Sequence, residues 1–96
     1  MPYGRKIVLH CPCGYKTELD EIVEQFIRDG VVFVGVVGHD CSRVEDIIHE
    51  LLVGDGFDET RFILTSFHEG ESLDEAIEFA ESLMDEYAGK VQVVQL

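Results

Sequence analysis

One stretch constrains this chain more than any other: Val31 to Asp40, which reads VVFVGVVGHD. Its first seven residues are apolar or Gly and rich in β-branched Val. That composition suits a strand buried on both faces, as in the middle of a parallel sheet. The run is far short of the roughly 20 apolar residues that a membrane-spanning helix needs. It ends abruptly at Gly38-His39-Asp40-Cys41, where polar and potentially reactive side chains begin and a helical pattern takes over.

The rest of the chain alternates the same two patterns. Lys6 to His10 predicts a short first strand centred on Ile7, Val8 and Leu9, followed by a loop from Cys11 to Lys16. Helix one is predicted over Glu18 to Asp29, because Leu19, Ile22, Val23, Phe26 and Ile27 fall on one helical face. Thr17 with Asp20 is a weaker form of the N-terminal capping pattern, and Gly30 closes the helix. Ser42-Arg43-Val44-Glu45 spells a full capping box that predicts the start of helix two, with Val44, Ile47, Ile48, Leu51 and Leu52 on its buried face.

Gly54 to Thr60 is a turn-rich return loop, and Arg61 to Phe67 a third strand. A second capping box, Ser72-Leu73-Asp74-Glu75, opens helix three. That helix is predicted to run to about Tyr87, burying Leu73, Ala76, Ile77, Ala80, Leu83, Met84 and Tyr87. Gly89 ends it, and Lys90 to Leu96 is a last strand. Gln92 and Gln95 break its apolar pattern, which places it at a sheet edge.

Strands alternating with amphipathic helices, in the order β-α-β-α-β-α-β, imply a mainly parallel sheet with right-handed crossovers. Residues 1–96 make one domain, since a chain this short has no room for a second core. The expected architecture is a three-layer α/β/α sandwich of the Rossmann-like or flavodoxin-like kind. Its four strands are expected in the order 2-1-3-4, with helix one on one face and helices two and three on the other.

Charge narrows the partners. Twenty Asp and Glu against seven Lys and Arg give a net charge of −13. Such a surface repels phosphate backbones and anionic lipid, which are bound mainly through Lys and Arg, so nucleic acid and membranes are excluded as expected partners. Only three consecutive apolar residues, Ile7 to Leu9, occur near the N-terminus, too few for a signal peptide. A cytoplasmic location follows as the expectation, with an odd count of three cysteines held reduced rather than forming a disulfide framework.

Ligands of an open parallel sheet bind beyond the carboxyl ends of its strands. The predicted loops place His10, Cys11 and Cys13 there after strand one, His39, Asp40 and Cys41 after strand two, and His68 and Glu69 after strand three. Three of the four histidines and all three cysteines thus share one edge, and His49 in helix two is the exception. Thiolate and imidazole are zinc ligands, so His10, Cys11, Cys13, His39, Cys41 and His68 are the candidate metal set. The spacing matches neither C-x2-C nor H-x3-H. Cys13 and Cys41 each precede a helix, where amide N–H groups lower a thiol pKa, and a nearby His would serve as base.

Against both readings stands ordinary packing: small, half-buried cysteines, and histidines that bond nearby backbone. No cysteine-enzyme signature is present. Gly35-Val-Val-Gly38 is neither a dinucleotide fingerprint nor a Walker loop, and Gly35 is expected to let a helix approach the central strand. Asp55, Asp58 and Glu59 miss the calcium-loop spacing. Helix three carries Asp74, Glu75, Glu78, Glu81, Asp85 and Glu86 with no basic residue, an outer face that is solvated or suits a basic partner.

The runs VVFVGVVGHDCSRVEDIIHELLVGDG, RFILTSFHEGESLDEAIEFAESL and EYAGKVQVVQL resemble an uncharacterised bacterial family of small α/β domains of unknown function. The resemblance spans nearly the whole chain and implies a bacterial cytosolic setting, with no activity, cofactor or catalytic residue. The expected role is a non-enzymatic interaction or regulatory domain that contacts a protein partner or pairs with itself. Its half-apolar last strand offers the edge for a homodimer. The alternative is the zinc or thiol site at the carboxyl edge.

Overall fold

The computed structural model describes residues 3–53, 63–83 and 89–96. Among these residues seven elements alternate as expected: β1 (Lys6–Cys11), α1 (Glu18–Asp29), β2 (Phe33–Gly38), α2 (Cys41–Val53), β3 (Leu64–Phe67), α3 (Leu73–Glu81) and β4 (Val91–Gln95). All three strand pairings are parallel, and the sheet order is β3-β2-β1-β4.

This corrects the expected order 2-1-3-4. That order would leave the Val31 run at an edge, although every residue from Phe33 to Val37 is buried. A strand apolar on both faces belongs between two neighbours, and β2 has them in β1 and β3. The helix layers change with the order. Right-handed crossovers step from β1 to β2 to β3 in one direction, so α1 and α2 share a face. The return from β3 across to β4 must then run over the opposite face, which is where α3 lies. Helix two therefore accompanies helix one, not helix three.

The pleat sorts the strand residues between these faces. Ile7, Leu9 and Cys11 of β1 and Val34 and Val36 of β2 join Leu19, Val23 and Phe26 of α1 and Cys41, Val44 and Ile48 of α2. On the other face Val8, Phe33 and Val37 meet Ala76 and Ala80 of α3. Lys6 shares this second face and is buried, with Nζ donating to the carbonyl of Ala80 at 2.6 Å. The ammonium thus sits at the negative end of α3, where the helix dipole favours a cation.

The caps divide. α3 forms its capping box in full: Ser72 Oγ accepts from the Glu75 amide and Glu75 Oε1 from the Ser72 amide. Gly30 closes α1 in the left-handed conformation. The other two patterns fail. Thr17 is already helical in φ and ψ and makes no side-chain cap bond. α2 begins at Cys41, one residue ahead of Ser42, and Glu45 is drawn to the sheet, accepting from Thr65 Oγ1 at 2.6 Å. A carboxylate held there is not free to return to the helix N-terminus.

α3 also ends at Glu81, short of the predicted Tyr87. The Ser82 hydroxyl donates back to the Phe79 carbonyl at 2.6 Å, and acidic residues at a helix C-terminus oppose the dipole. The expectations for the 54–62 loop and strand start, including Asp55, Asp58 and Glu59, and for 84–88, including Asp85, Glu86 and the buried Met84 and Tyr87, lie outside the described residues. β4 occupies a sheet edge, as Gln92 and Gln95 indicated.

Candidate functional site

At the carboxyl edge of the sheet, the ends of β1 and β2 are bound into one unit. The Cys11 carbonyl accepts both the Gly14 amide at 3.2 Å and the His39 amide at 2.9 Å. Gly38 lies directly opposite Cys11 with φ at 124°, and a Cβ there would stand 2.6 Å from the Cys11 carbonyl oxygen. Only glycine fits. The next turn places Asp40 in the left-handed region, at φ 56°, and its carbonyl accepts the amides of Arg43 and Val44 to start α2.

Within this unit the Cys11 thiol is buried and faces two backbone carbonyls, Val37 at 3.4 Å and His39 at 3.6 Å. Burial first, then the neighbouring Cys41 and Asp40, push its pKa from 9.0 up to about 11 against a smaller lowering by a backbone hydrogen bond. A thiol that donates to carbonyls and loses solvation on ionising is a packing residue with a weak hydrogen bond, not a poised nucleophile. Cys41 is buried beside the same core, whereas Cys13 and His39 are exposed.

His68 is elsewhere. With β2 standing between β1 and β3, the first and third loops do not meet across a crevice as the order 2-1-3-4 implied. The His68 side chain also belongs to the α3 face, whereas Cys11 and Cys41 lie in the core on the α1 and α2 face. His10, half-buried near the end of β1, points to the α3 side by strand alternation. The six candidate side chains therefore share the carboxyl edge but divide between its two faces. Among the described residues no three His, Cys, Asp or Glu side chains are grouped so as to hold one metal ion.

Around His68 the structure brings together two residues that the sequence reading passed over. Ser66 Oγ lies 2.9 Å from His68 Nε2, and Glu71 Oε2 lies 3.2 Å from His68 Nδ1. The imidazole is 5% exposed as a residue and packs edge-on to Phe79, with ring centroids 4.9 Å apart. Gly35 provides the room. A Cβ there would meet the Phe33 ring at 3.1 Å and His68 Nε2 at 3.4 Å, so the space is used by two side chains rather than by an approaching helix. The signal was available: alternation puts Ser66 and His68 on one side of a strand, and a turn of three residues can return Glu71 to the ring.

A shallow hollow of about 270 Å³ lies at the carboxyl ends of β1 and β4, where the strand order reverses. Lys16, Glu18, Ile22, Gln95 and Leu96 line it, so it presents a cation and a carboxylate together.

The family model for a domain of unknown function, DUF7684, matches residues 7–95. The chain belongs to that family. The match runs from β1 through β4, so it takes in both faces of the carboxyl edge and every candidate site residue. No curated protein and no solved structure matches the chain. No described helix is long and apolar enough to cross a membrane.

Proposed function

We infer that this DUF7684 domain works by protein contact in the cytoplasm, pairing with a second copy of itself along β4. The observation that carries this reading is the character of that edge. In a chain with net charge −13, Val91 to Leu96 contains no charged residue and no proline. β4 pairs in unbroken register with β1, from Lys6 opposite Val91 to His10 opposite Gln95, so no bulge turns it away. Edge strands that must stay unpaired normally carry charge, proline or a bulge.

Strand geometry specifies how two copies would meet. The Leu96 amide donates to the His10 carbonyl at 2.8 Å. Gln92, Val94 and Leu96 therefore turn their backbone groups toward β1, while Val91, Val93 and Gln95 turn theirs outward. An antiparallel pair with Val93 on the two-fold axis would use all three outward residues, Val91 facing Gln95 of the other copy. Val93, 44% exposed, would be covered in the process. Elsewhere the two acidic surfaces repel, which leaves this neutral strip as the favoured meeting place.

Light scattering across a dilution series tests the proposal. The natural chain should approach twice 10.8 kDa, and Val93→Lys should hold the mass at 10.8 kDa with an unchanged circular dichroism spectrum. A natural chain that stays monomeric throughout, or a Val93→Lys dimer, would sink the reading.

A further inference from the structure

The hydrogen-bonded chain on the α3 face has the connectivity of an activated nucleophile. An ionised Glu71 only accepts, so His68 Nδ1 carries the hydrogen of their 3.2 Å contact. A neutral imidazole then has a bare Nε2, and the hydroxyl of Ser66 donates to it across 2.9 Å. Hydroxyl, imidazole and carboxylate stand in the sequence that nucleophilic catalysis requires, with the base oriented by a third group. Glu71 fixes the tautomer, Phe79 packs against the ring, and the missing side chain of Gly35 leaves Nε2 its place beside Ser66.

We propose that Ser66 is a nucleophile toward small, uncharged carboxylic esters, with His68 as its general base and Glu71 as a positioning residue. The chemistry of the surroundings selects the class. Net charge of −13 disfavours phosphoryl and other anionic donors. Phe79, 43% exposed beside the imidazole, offers an apolar surface to a short acyl group.

In the step, the Ser66 oxygen forms a bond to the acyl carbon as the bond to the departing alkoxide breaks. His68 Nε2 takes the hydroxyl proton and hands it to that alkoxide. Water, its proton taken by the same nitrogen, then adds to the acyl carbon. The bond from that carbon to the Ser66 oxygen breaks, and His68 Nε2 returns the proton to that oxygen, releasing the carboxylic acid and restoring the hydroxyl.

The same contacts would satisfy a buried imidazole that does no chemistry, so the test reads reactivity. The full chain is treated with p-nitrophenyl acetate, with nitrophenolate release followed by absorbance and the site of acetylation located by peptide mass spectrometry. The expected result is an acetyl group on Ser66, formed more slowly in deuterium oxide because a proton moves in the step. Ser66→Ala should lower the rate by about 100-fold or more, and Glu71→Gln by about 10-fold. Glu71 has an exposed side chain, 41% accessible, so Glu71→Gln should leave the melting temperature in place and separate positioning from folding. Acetylation found only on Cys13, Tyr15 or lysines, or Ser66 acetylation unaltered by Glu71→Gln, would overturn the proposal.

Discussion

The two faces of the sheet are built from different materials. Under α1 and α2, among the described residues, fifteen buried residues form one apolar cluster, whose only heteroatoms in side chains are the sulfurs of Cys11 and Cys41. Under α3, among the described residues, the buried apolar cluster has five members, two of them alanines, and the same face buries Lys6 and His68. On the α1 and α2 side the fully buried side chains are apolar, and the polar pair of Glu45 and Thr65 is only partly buried. Where α3 packs through two buried alanines with Leu73 and Ile77 beside them, β1 supplies an ammonium, β3 a hydroxyl and the residue after β3 an imidazole, each with a hydrogen-bonding partner. Among the described residues the first face carries the larger apolar burial and the second the individually paired polar groups that chemistry requires.

Two phenylalanines, one buried on each side, separate the faces most directly. Phe26→Ala on the α1 side should cost about 3–5 kcal/mol in denaturant unfolding, as removal of a fully enclosed ring does. Phe33→Ala should lie at or below the bottom of that range, because its ring borders Phe79, itself 43% exposed, at a centroid distance of 6.1 Å. Equal losses at the two positions would abolish the distinction between a stabilising and a chemical face.

A smaller effect comes from Cys11 and depends on pH. Its thiol is harder to ionise in the fold than in the unfolded chain, with the pKa pushed from 9.0 up to about 11. The folded state therefore holds that proton more tightly. The resulting stability is fully present below pH 9.0 and is lost progressively as pH rises to about 11, by at most about 3 kcal/mol. Unfolding curves taken across this window should show the decline in the natural chain and a reduced slope in Cys11→Val. Parallel slopes would mean that the thiol is not enclosed as described. The smallest effect belongs to the α3 face, where Ser72→Ala removes one half of the capping box and should cost about 1 kcal/mol. A thermal melt that does not move would show that α3 is held by its packing alone.

Much of this organisation was legible in the residues, and the failures have physical causes. Helix one was readable to the residue, Glu18 to Asp29, because five apolar positions at helical spacing end at a glycine. The apolar character of Val31 to Val37 implied an interior strand, yet the proposed order placed it at an edge. Periodicity says which faces are buried, not which strand lies beside which, and handedness can fix the helix layers only once that order is known. The two S-x-x-E boxes look alike in sequence, but only one forms, since Glu45 finds Thr65 on the sheet and Glu75 finds no such competitor. Cysteine and histidine signal reactivity by residue type alone. Ser66 and Glu71 matter through what they touch, and contact across a strand and a turn is invisible until the strand ends are known.

Gly38 has a consequence for how the central strands align. A slip of β2 by one residue against β1 would bring Val37 or His39 opposite Cys11, and keeping the turn made there at φ 124° would press its Cβ to within 2.6 Å of the Cys11 carbonyl. The same slip would turn every β2 side chain to the wrong face. The missing side chain thus acts as a notch that admits a single alignment. A mispaired chain would have to strain that turn as well as misplace its hydrophobic surface, at the junction where the two halves of the carboxyl edge begin.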